Sequence, residues 1–430
     1  MAPKFNCADV LVHALFRHVL SEIAHCSFCS NFCHKTNCFE HLFISYSVHP
    51  LCTMPQEIID MVIDNVADSP SHSFKDKRTL AACALVCRSW LPRTRHHLFD
   101  DITLNRSIAS FAALLRSEHC TFAPYVRNIS AFRTFMDPSD HHFDKIGKDL
   151  KRLTNVRTLM LDGMFHACAP WTDFMCGFKH VTELYLHFHL TGNSNCVLGM
   201  IHMLPALRRL EANPISPVVF WNSLRPPPPF IDIAPPHLTP PPHLHSIRTG
   251  GDSARHILTW LEWFDRLSQI DHLELSPIPG EDKESVLELL RRMGSSLQSL
   301  DVRSESVFRD VFRHPSLLEL LNVSMCKKLE TLRVPNLNSN AQDVDAYETL
   351  RKFILGISAP TLESVIIEYP GERHKLMDWA AVDAFLAFPD FPRLRTVQIS
   401  VGSQLGGYFE ENLPRLHELG LLKVETVRYY

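Results

Sequence analysis

Apolar residues recur along this chain in a short template, L-x-x-L-x-L. It occurs at Phe99-Ile102-Leu104, Val126-Ile129-Ala131, Val156-Leu159-Leu161, Val181-Leu184-Leu186, Leu207-Leu210-Ala212 and Leu244-Ile247-Thr249. It continues at Ile270-Leu273-Leu275, Leu297-Leu300-Val302, Leu329-Leu332-Val334, Leu362-Val365-Ile367, Leu394-Val397-Ile399 and Leu416-Leu419-Leu421. Successive copies lie mostly about 22 to 33 residues apart. A lone copy arises easily by chance, whereas a dozen in series form a repeat. In each copy the first apolar residue turns a corner. The last two, one residue apart, point to the same side of a short strand. Between copies the period becomes helical: Ile257, Leu261 and Phe264 line one face within 252–267, and Val286, Leu289, Leu290 and Met293 do so within 281–293. Strand then helix, repeated, predicts an α/β solenoid of parallel strands and helices.

The stretch ahead of the repeats, Thr53 to Leu104, has a different pattern. Thr53 followed by Gln56 reads as a capping box, with Pro55 in the first helical turn. Ile59, Val62, Ile63 and Val66 then form one apolar face, while Ile58 and Met61 form a second strip beside it. A small domain covers one strip, and the other is expected to meet a partner chain. A second helix, near Leu80 to Trp90, is apolar almost all round through Ala81, Ala82, Ala84, Leu85 and Val86, as a buried helix would be. Pro92 is expected to end or kink it, with a third short helix over Arg93 to Phe99 and a strand at Ile102 and Leu104.

Read in order, Met54-Pro55-Gln56-Glu57-Ile58-Ile59-Asp60 and Cys83-Ala84-Leu85-Val86-Cys87-Arg88-Ser89-Trp90-Leu91-Pro92 resemble an F-box, in the form common among mushroom-type fungi. The resemblance covers roughly an eighth of the chain. It implies binding to the Skp-type adaptor of a cullin-RING ubiquitin ligase, and through the adaptor to cullin. Carried onto this sequence, the adaptor-binding residues are Met54, Pro55, Ile58, Ile59, Met61, Val62, Leu85, Val86 and Trp90. Met54 stands where leucine is usual, a volume-conserving exchange. The region that follows resembles, irregularly, the leucine-rich repeats found after many F-boxes. The asparagine expected three positions after the last leucine is generally absent, and Met164 occupies that place in one clear copy.

The domain organisation expected is therefore an N-terminal extension over 1–50, an F-box over 51–104 and a repeat solenoid over 105–430. A Pro-rich stretch over 225–242, where the repeat interval widens to about 37 residues, is expected to be an exposed, stiff loop. The extension has no clear hydrophobic period beyond one weak helix near Val10 to Ile23, and reads as disordered or as a gene-model artefact.

Composition narrows the function classes. The chain has 430 residues, is 45% hydrophobic and carries a formal net charge of -4, which offers no broad field for nucleic acid. No run of eighteen apolar residues occurs, and a cytoplasmic or nuclear protein without membrane contact is expected. Of its cysteines, Cys83, Cys87, Cys120, Cys168, Cys176, Cys196 and Cys326 are scattered in mostly apolar surroundings, as free buried thiols are. Cys7, Cys26, Cys29, Cys33, Cys38 and Cys52 crowd the N-terminus. With His34 and His41 they exceed the ligands zinc needs, but only Cys26 and Cys29 form a familiar pair, so no metal or cofactor is expected.

The motifs GxGxxG, GxSxG, HExxH and the P-loop are missing, and the many histidines have no nucleophile at a recognisable spacing. A non-catalytic receptor is the expectation: the F-box holds the adaptor, and the strand face binds a target protein destined for ubiquitin transfer. Positions between or just after the inward pairs project outward, among them Met160 and Asp162. Those expected to contact the target are Tyr185, His187, Glu211, Arg248, Glu274, Asp301, Arg303 and Arg333, a mixed-charge set that suits a protein. The alternatives are a repeat scaffold with no ligase role, separated by adaptor binding, and an unrecognised enzyme or zinc-dependent module, separated by metal analysis.

Overall fold

The computed structural model describes residues 55–67, 74–86, 88–104, 108–133, 143–164, 174–189, 194–214, 237–276, 278, 282–303, 321, 323–334, 344–369, 377–401 and 406–426. Met54, Thr53, Cys87, the 1–50 extension and most of the Pro-rich stretch lie outside these residues. The chain divides into two compact units. Among the described residues, one takes in 55–103, 114–129 and 153–156, the other 104–113, 130–152 and 157–426.

In the first unit, α1 (Gln56–Ala67), α2 (Phe74–Val86) and α3 (Leu91–Phe99) pack together. Ile59 and Ile63, one turn apart on α1, are buried with Leu80, Cys83 and Trp90, and Val62, Val66, Val86 and Leu98 pack against that cluster. Helix α1 starts at the Pro55 carbonyl, which accepts the N–H groups of Ile58 (3.0 Å) and Ile59 (3.2 Å). The Gln56 side chain donates to Asp60 at 2.7 Å and to the Ser89 carbonyl at 3.2 Å. It therefore ties α1 to the residues entering α3.

The second helix differs from the sequence expectation. It runs from Phe74 to Val86, six residues ahead of the Leu80 start, and is not buried all round, because Leu85 is 73% exposed. Its small alanines give no phase to the pattern. Trp90 is the N-cap of α3, and Pro92 sits in the first turn of α3, where its missing N–H is tolerated. The third helix thus opens at Leu91 rather than Arg93.

The strands are β1 (Asp101–Leu104), β2 (Asn128–Arg133), β3 (Thr158–Met164), β4 (Glu183–His189), β5 (Arg209–Pro214) and β6 (Ser246–Thr249). They continue as β7 (His272–Leu275), β8 (Ser299–Val302), β9 (Thr331–Val334), β10 (Ser364–Tyr369), β11 (Thr396–Val401) and β12 (Leu422–Thr426). They form one twelve-stranded sheet in strict sequence order. Every pair from β3 to β12 is parallel. Helices connect them: α4 (Ile108–Arg116), α5 (Phe143–Leu150), α6 (Ser194–His202), α7 (Gly251–Trp263), α8 (Lys283–Met293), α9 (Val344–Leu355), α10 (Trp379–Leu386), α11 (Gly406–Asn412) and α12 (Pro414–Glu418). This is the repeating strand-and-helix solenoid the hydrophobic pattern predicts.

Register turns the template into rows across the sheet. Leu159, Leu184, Leu210, Ile247, Leu273, Leu300, Leu332, Val365 and Val397 are paired in succession, and all are buried. The residue ahead of each strand adds a main-chain ladder. The carbonyl of Arg208 accepts the N–H groups of His245 and Ser246, that of His245 accepts Asp271 and His272, and that of Asp271 accepts Gln298 and Ser299. The same two-for-one bonding continues through Gln298, Glu330 and Glu363.

Two further expectations are corrected. Leu416-Leu419-Leu421 is not a strand copy: α12 takes up Leu416, and Leu419 is 59% exposed. Gly420, at φ 68°, closes that helix, with the Leu421 N–H returning to the Leu416 carbonyl at 2.9 Å, and the strand begins only at Leu422. The described end of the Pro-rich stretch, 237–242, is a loop in which His237, Thr239 and Pro242 are exposed. Pro240 and Pro241 are buried, and the Trp260 indole N–H donates to the Leu238 carbonyl at 2.7 Å. Trp260 itself is buried. Among the cysteines, Cys83 and Cys326 are buried and burial pushes both thiols up to about 11, whereas Cys176 is exposed.

Candidate functional site: an apolar helix surface and an ionic strand face

The helical unit separates its apolar residues into two sets. Ile59 and Trp90 are buried in its own core, and Val62 and Val86 pack half-buried against that core. Ile58 (40% exposed), Met61 (53%) and Leu85 (73%) face out, and Pro55 is exposed as well. Of the residues the F-box resemblance assigns to an adaptor, the outward set can touch another protein and the inward set shapes the surface that carries it. The polar flank is held rigid. Asp64 on α1 accepts two hydrogen bonds from Arg93, each 2.6 Å, and contacts His97 at 2.8 Å. The Arg93 hydrogen bonds are the main reason the Asp64 carboxyl is held down at about 2.

On the solenoid, the outward row is set by register. Met160, Tyr185, Glu211, Arg248, Glu274, Asp301 and Arg333 are consecutive partners from β3 to β9. Neighbouring strands lie about 4.8 Å apart, within reach of side-chain pairing. His187 meets Glu211 at 3.2 Å, and Arg248 donates to Glu211 at 3.1 Å and reaches Glu274 at 2.7 Å. Arg303 pairs with Glu274 and lies 3.8 Å from Asp301, which Arg333 approaches at 3.9 Å. Arg333 then grips Glu368 on β10 at 2.7 and 2.8 Å. Tyr185 stands beside this chain of charges, donating to Glu183 at 2.9 Å beneath the Arg209 guanidinium.

These residues are not free solvated positions, for most of their charge is matched within the row. Glu211 is only 5% exposed. Burial pushes its carboxyl up, but the His187 hydrogen bond and the Arg248 charge outweigh it, so the carboxyl lies below its ordinary value. The Glu211 hydrogen bond raises the His187 imidazole against the opposing pull of burial. Burial raises Glu274 despite Arg303 and Arg248, and burial together with the Glu274 charge lifts Asp301 to about 6. The row is most open at Arg303, Arg333 and Glu368, whose side chains are 43%, 39% and 33% exposed.

Glu368 was not among the residues the sequence singles out. It lies one residue past the inward Ile367, and only the pairing of β9 with β10 brings it to Arg333. An open cavity of about 470 Å³ lies at the strand entrances, lined among others by Arg157, Glu183, Arg209, His245, Ser246 and His272. Among the described residues, no helix is long and apolar enough to cross a membrane.

No protein-family model matches the chain. No curated protein matches it either. Among solved structures it is similar to a protein from Bacteroides fragilis, at 12% identity and a TM-score of 0.34, over 76% of this chain and 75% of that one. It is also similar to a chain in the crystal structure of the Rad7 and Elc1 complex in yeast, at 13% identity and a TM-score of 0.36, over 87% of this chain and 90% of that one.

Proposed function

We propose that this chain is the substrate-recognition subunit of an SCF-type cullin-RING ubiquitin ligase. Its helical unit binds a Skp-type adaptor, its strand face binds a target protein, and catalysis belongs to other subunits. The observation that carries this reading is the outward apolar set Ile58, Met61 and Leu85, on helices whose inward residues already complete a core. Large apolar side chains left exposed on two helices of so small a unit favour a partner over solvent. The motif order Met-Pro, then Cys-Ala-Leu-Val-Cys-Arg-Ser-Trp, with its resemblance to an F-box, supports a Skp-type adaptor as that partner. The more open end of the ionic row, Arg303, Arg333 and Glu368, is where a target can compete for charge without first breaking the buried pairs around Glu211.

The test is capture of a purified Skp-type adaptor by the full chain and by Ile58→Asp and Leu85→Asp variants. Both positions are exposed, so circular dichroism and melting should stay as in the parent. An unpaired carboxylate buried in the interface should weaken binding by about 100-fold or more. Capture that is unchanged in both variants, or absent in the parent, overturns the receptor reading and favours a repeat scaffold without a ligase role.

A further inference from the structure

Two histidines and a carboxylate converge where β6 and β7 begin. His245 is the residue before β6, Asp271 the residue before β7, and His272 the first residue of β7. The Asp271 Oδ1 lies 3.1 Å from the His245 Nδ1 and 2.6 Å from the His272 Nδ1. One ligating atom from each of the three residues falls within 4.8 Å of the others. The backbone beneath them is fixed by the carbonyl ladder: the His245 carbonyl accepts Asp271 N–H at 3.0 Å and His272 N–H at 3.2 Å, and the Asp271 carbonyl accepts Gln298 and Ser299. The side chains are half-open, 46% exposed at His245, 33% at Asp271 and 51% at His272, so an ion can reach them from solvent.

We propose that His245, Asp271 and His272 form a binding site for a zinc-class divalent ion across two adjacent repeats. Zinc holds imidazole nitrogen at about 2.0–2.1 Å and carboxylate oxygen at about 2.0–2.2 Å, which places tetrahedral ligand atoms roughly 3.3 Å apart. The observed 3.1 and 2.6 Å separations from Asp271 lie close to that value, and the ligating atoms of all three residues, within 4.8 Å of one another, need to draw together only by side-chain movement. Two imidazoles with one carboxylate suit zinc, cobalt, nickel or copper rather than magnesium or calcium, which prefer oxygen throughout. The three residues leave a fourth position, and His245 and His272 also line the open cavity at the strand entrances, where water or an anionic donor could complete the tetrahedron. Zinc needs an unprotonated ring nitrogen from each imidazole, so on binding any proton at that nitrogen moves to the other ring nitrogen or to solvent. Because the ligands come from successive repeats, the ion would staple β6 to β7.

The full chain, stripped with a chelator, should be titrated with zinc by calorimetry and with cobalt by visible absorption. His245→Asn with His272→Asn forms the decisive variant, and Asp271→Asn a second in case the pair does not fold. The parent should bind one more zinc than the double variant and should melt higher when zinc is added. The double variant should melt like the parent in the absence of metal and gain nothing from zinc. Asp271→Asn should weaken the site by about 10-fold or more. Cobalt in this site should give ligand-field bands that the double variant loses and that Asp271→Asn develops only at higher cobalt, without the thiolate charge transfer that the Cys26 and Cys29 pair would produce. Equal zinc stoichiometry in parent and double variant, or cobalt bands that survive both sets of substitutions, overturns the proposal.

Discussion

Arg93 holds Asp64 through two guanidinium nitrogens, each 2.6 Å from a different carboxylate oxygen, and so joins α3 to α1. The pair sets an acid limit on the helical unit. Asp64 titrates near 3.8 when unfolded and at about 2 when folded, so the folded state binds fewer protons in that interval. Its contribution is present above 3.8 and is lost as pH falls towards 2. Asp64→Asn should lower stability by about 1 kcal/mol at neutral pH, a value discounted for the pair's exposure. It should also flatten the acid limb of a denaturation series followed by helical circular dichroism. An acid limb as steep as the parent's would show that other carboxylates set it.

Inward and outward apolar residues of the helical unit should separate cleanly by truncation. Trp90→Ala removes a core aromatic that is 7% exposed and should cost about 3–5 kcal/mol. Leu85→Ala removes a side chain that is 73% exposed and should change stability by no more than about 0.5 kcal/mol. Urea midpoints of the full-length variants test this, and comparable losses at both positions would mean that Leu85 is packed rather than exposed.

The ionic row should make the solenoid less stable as pH rises from mildly acidic to neutral. Asp301 titrates near 3.8 when unfolded and at about 6 when folded, so the folded state holds more protons between those values and stability falls as pH rises through them. His187 acts in the same direction at higher pH. Its folded value lies above 6.5, so its contribution is full below 6.5 and is lost as pH rises through the raised value. Asp301→Asn should therefore remove a falling component of melting temperature between pH 4 and about pH 6, and His187→Asn one above pH 6.5, while His256, lowered by burial, contributes an opposing rise below 6.5. Slopes unchanged in both variants would place the pH dependence elsewhere.

Near the C-terminus, Asp383 of α10 is 3% exposed, and its two oxygens accept the N–H groups of Arg415 at 3.1 Å and Leu416 at 2.9 Å. It caps α12 from a neighbouring helix. Asp383→Ala should cost about 2–3 kcal/mol by leaving two donors unmatched. Hydrogen exchange should then quicken at Arg415 and Leu416 before it does in β4 to β8, and unchanged protection would show that water replaces the cap.

The parts of this architecture legible in the sequence are those governed by period. Ile59 and Ile63 against Ile58 and Met61 separate because one helical turn returns to the same face, and the inward leucine rows follow from alternation along strands. Where the pattern has no phase, it misleads: Ala81, Ala82 and Ala84 are apolar on every side and do not locate α2. Leu416, Leu419 and Leu421 match the strand template in spacing, yet Gly420 in the left-handed region ends a helix there. The outward charges can be named from the template, but their pairing cannot. His187 and Glu211 are 24 residues apart and Arg248 and Glu211 are 37 apart, so register alone decides who meets whom. The cluster of His245, Asp271 and His272 is hidden for the same reason.

The strict sequence order of the twelve strands also bears on how the chain acquires its structure during synthesis. From β3 onward, each strand pairs with the one completed just before it, so no strand emerging from the ribosome must wait for a distant partner yet to be translated. Loop-closure entropy is met in short instalments of one repeat at a time. The nascent sheet presents a single growing edge, and that edge, rather than the finished face, is what a chaperone would have to shield.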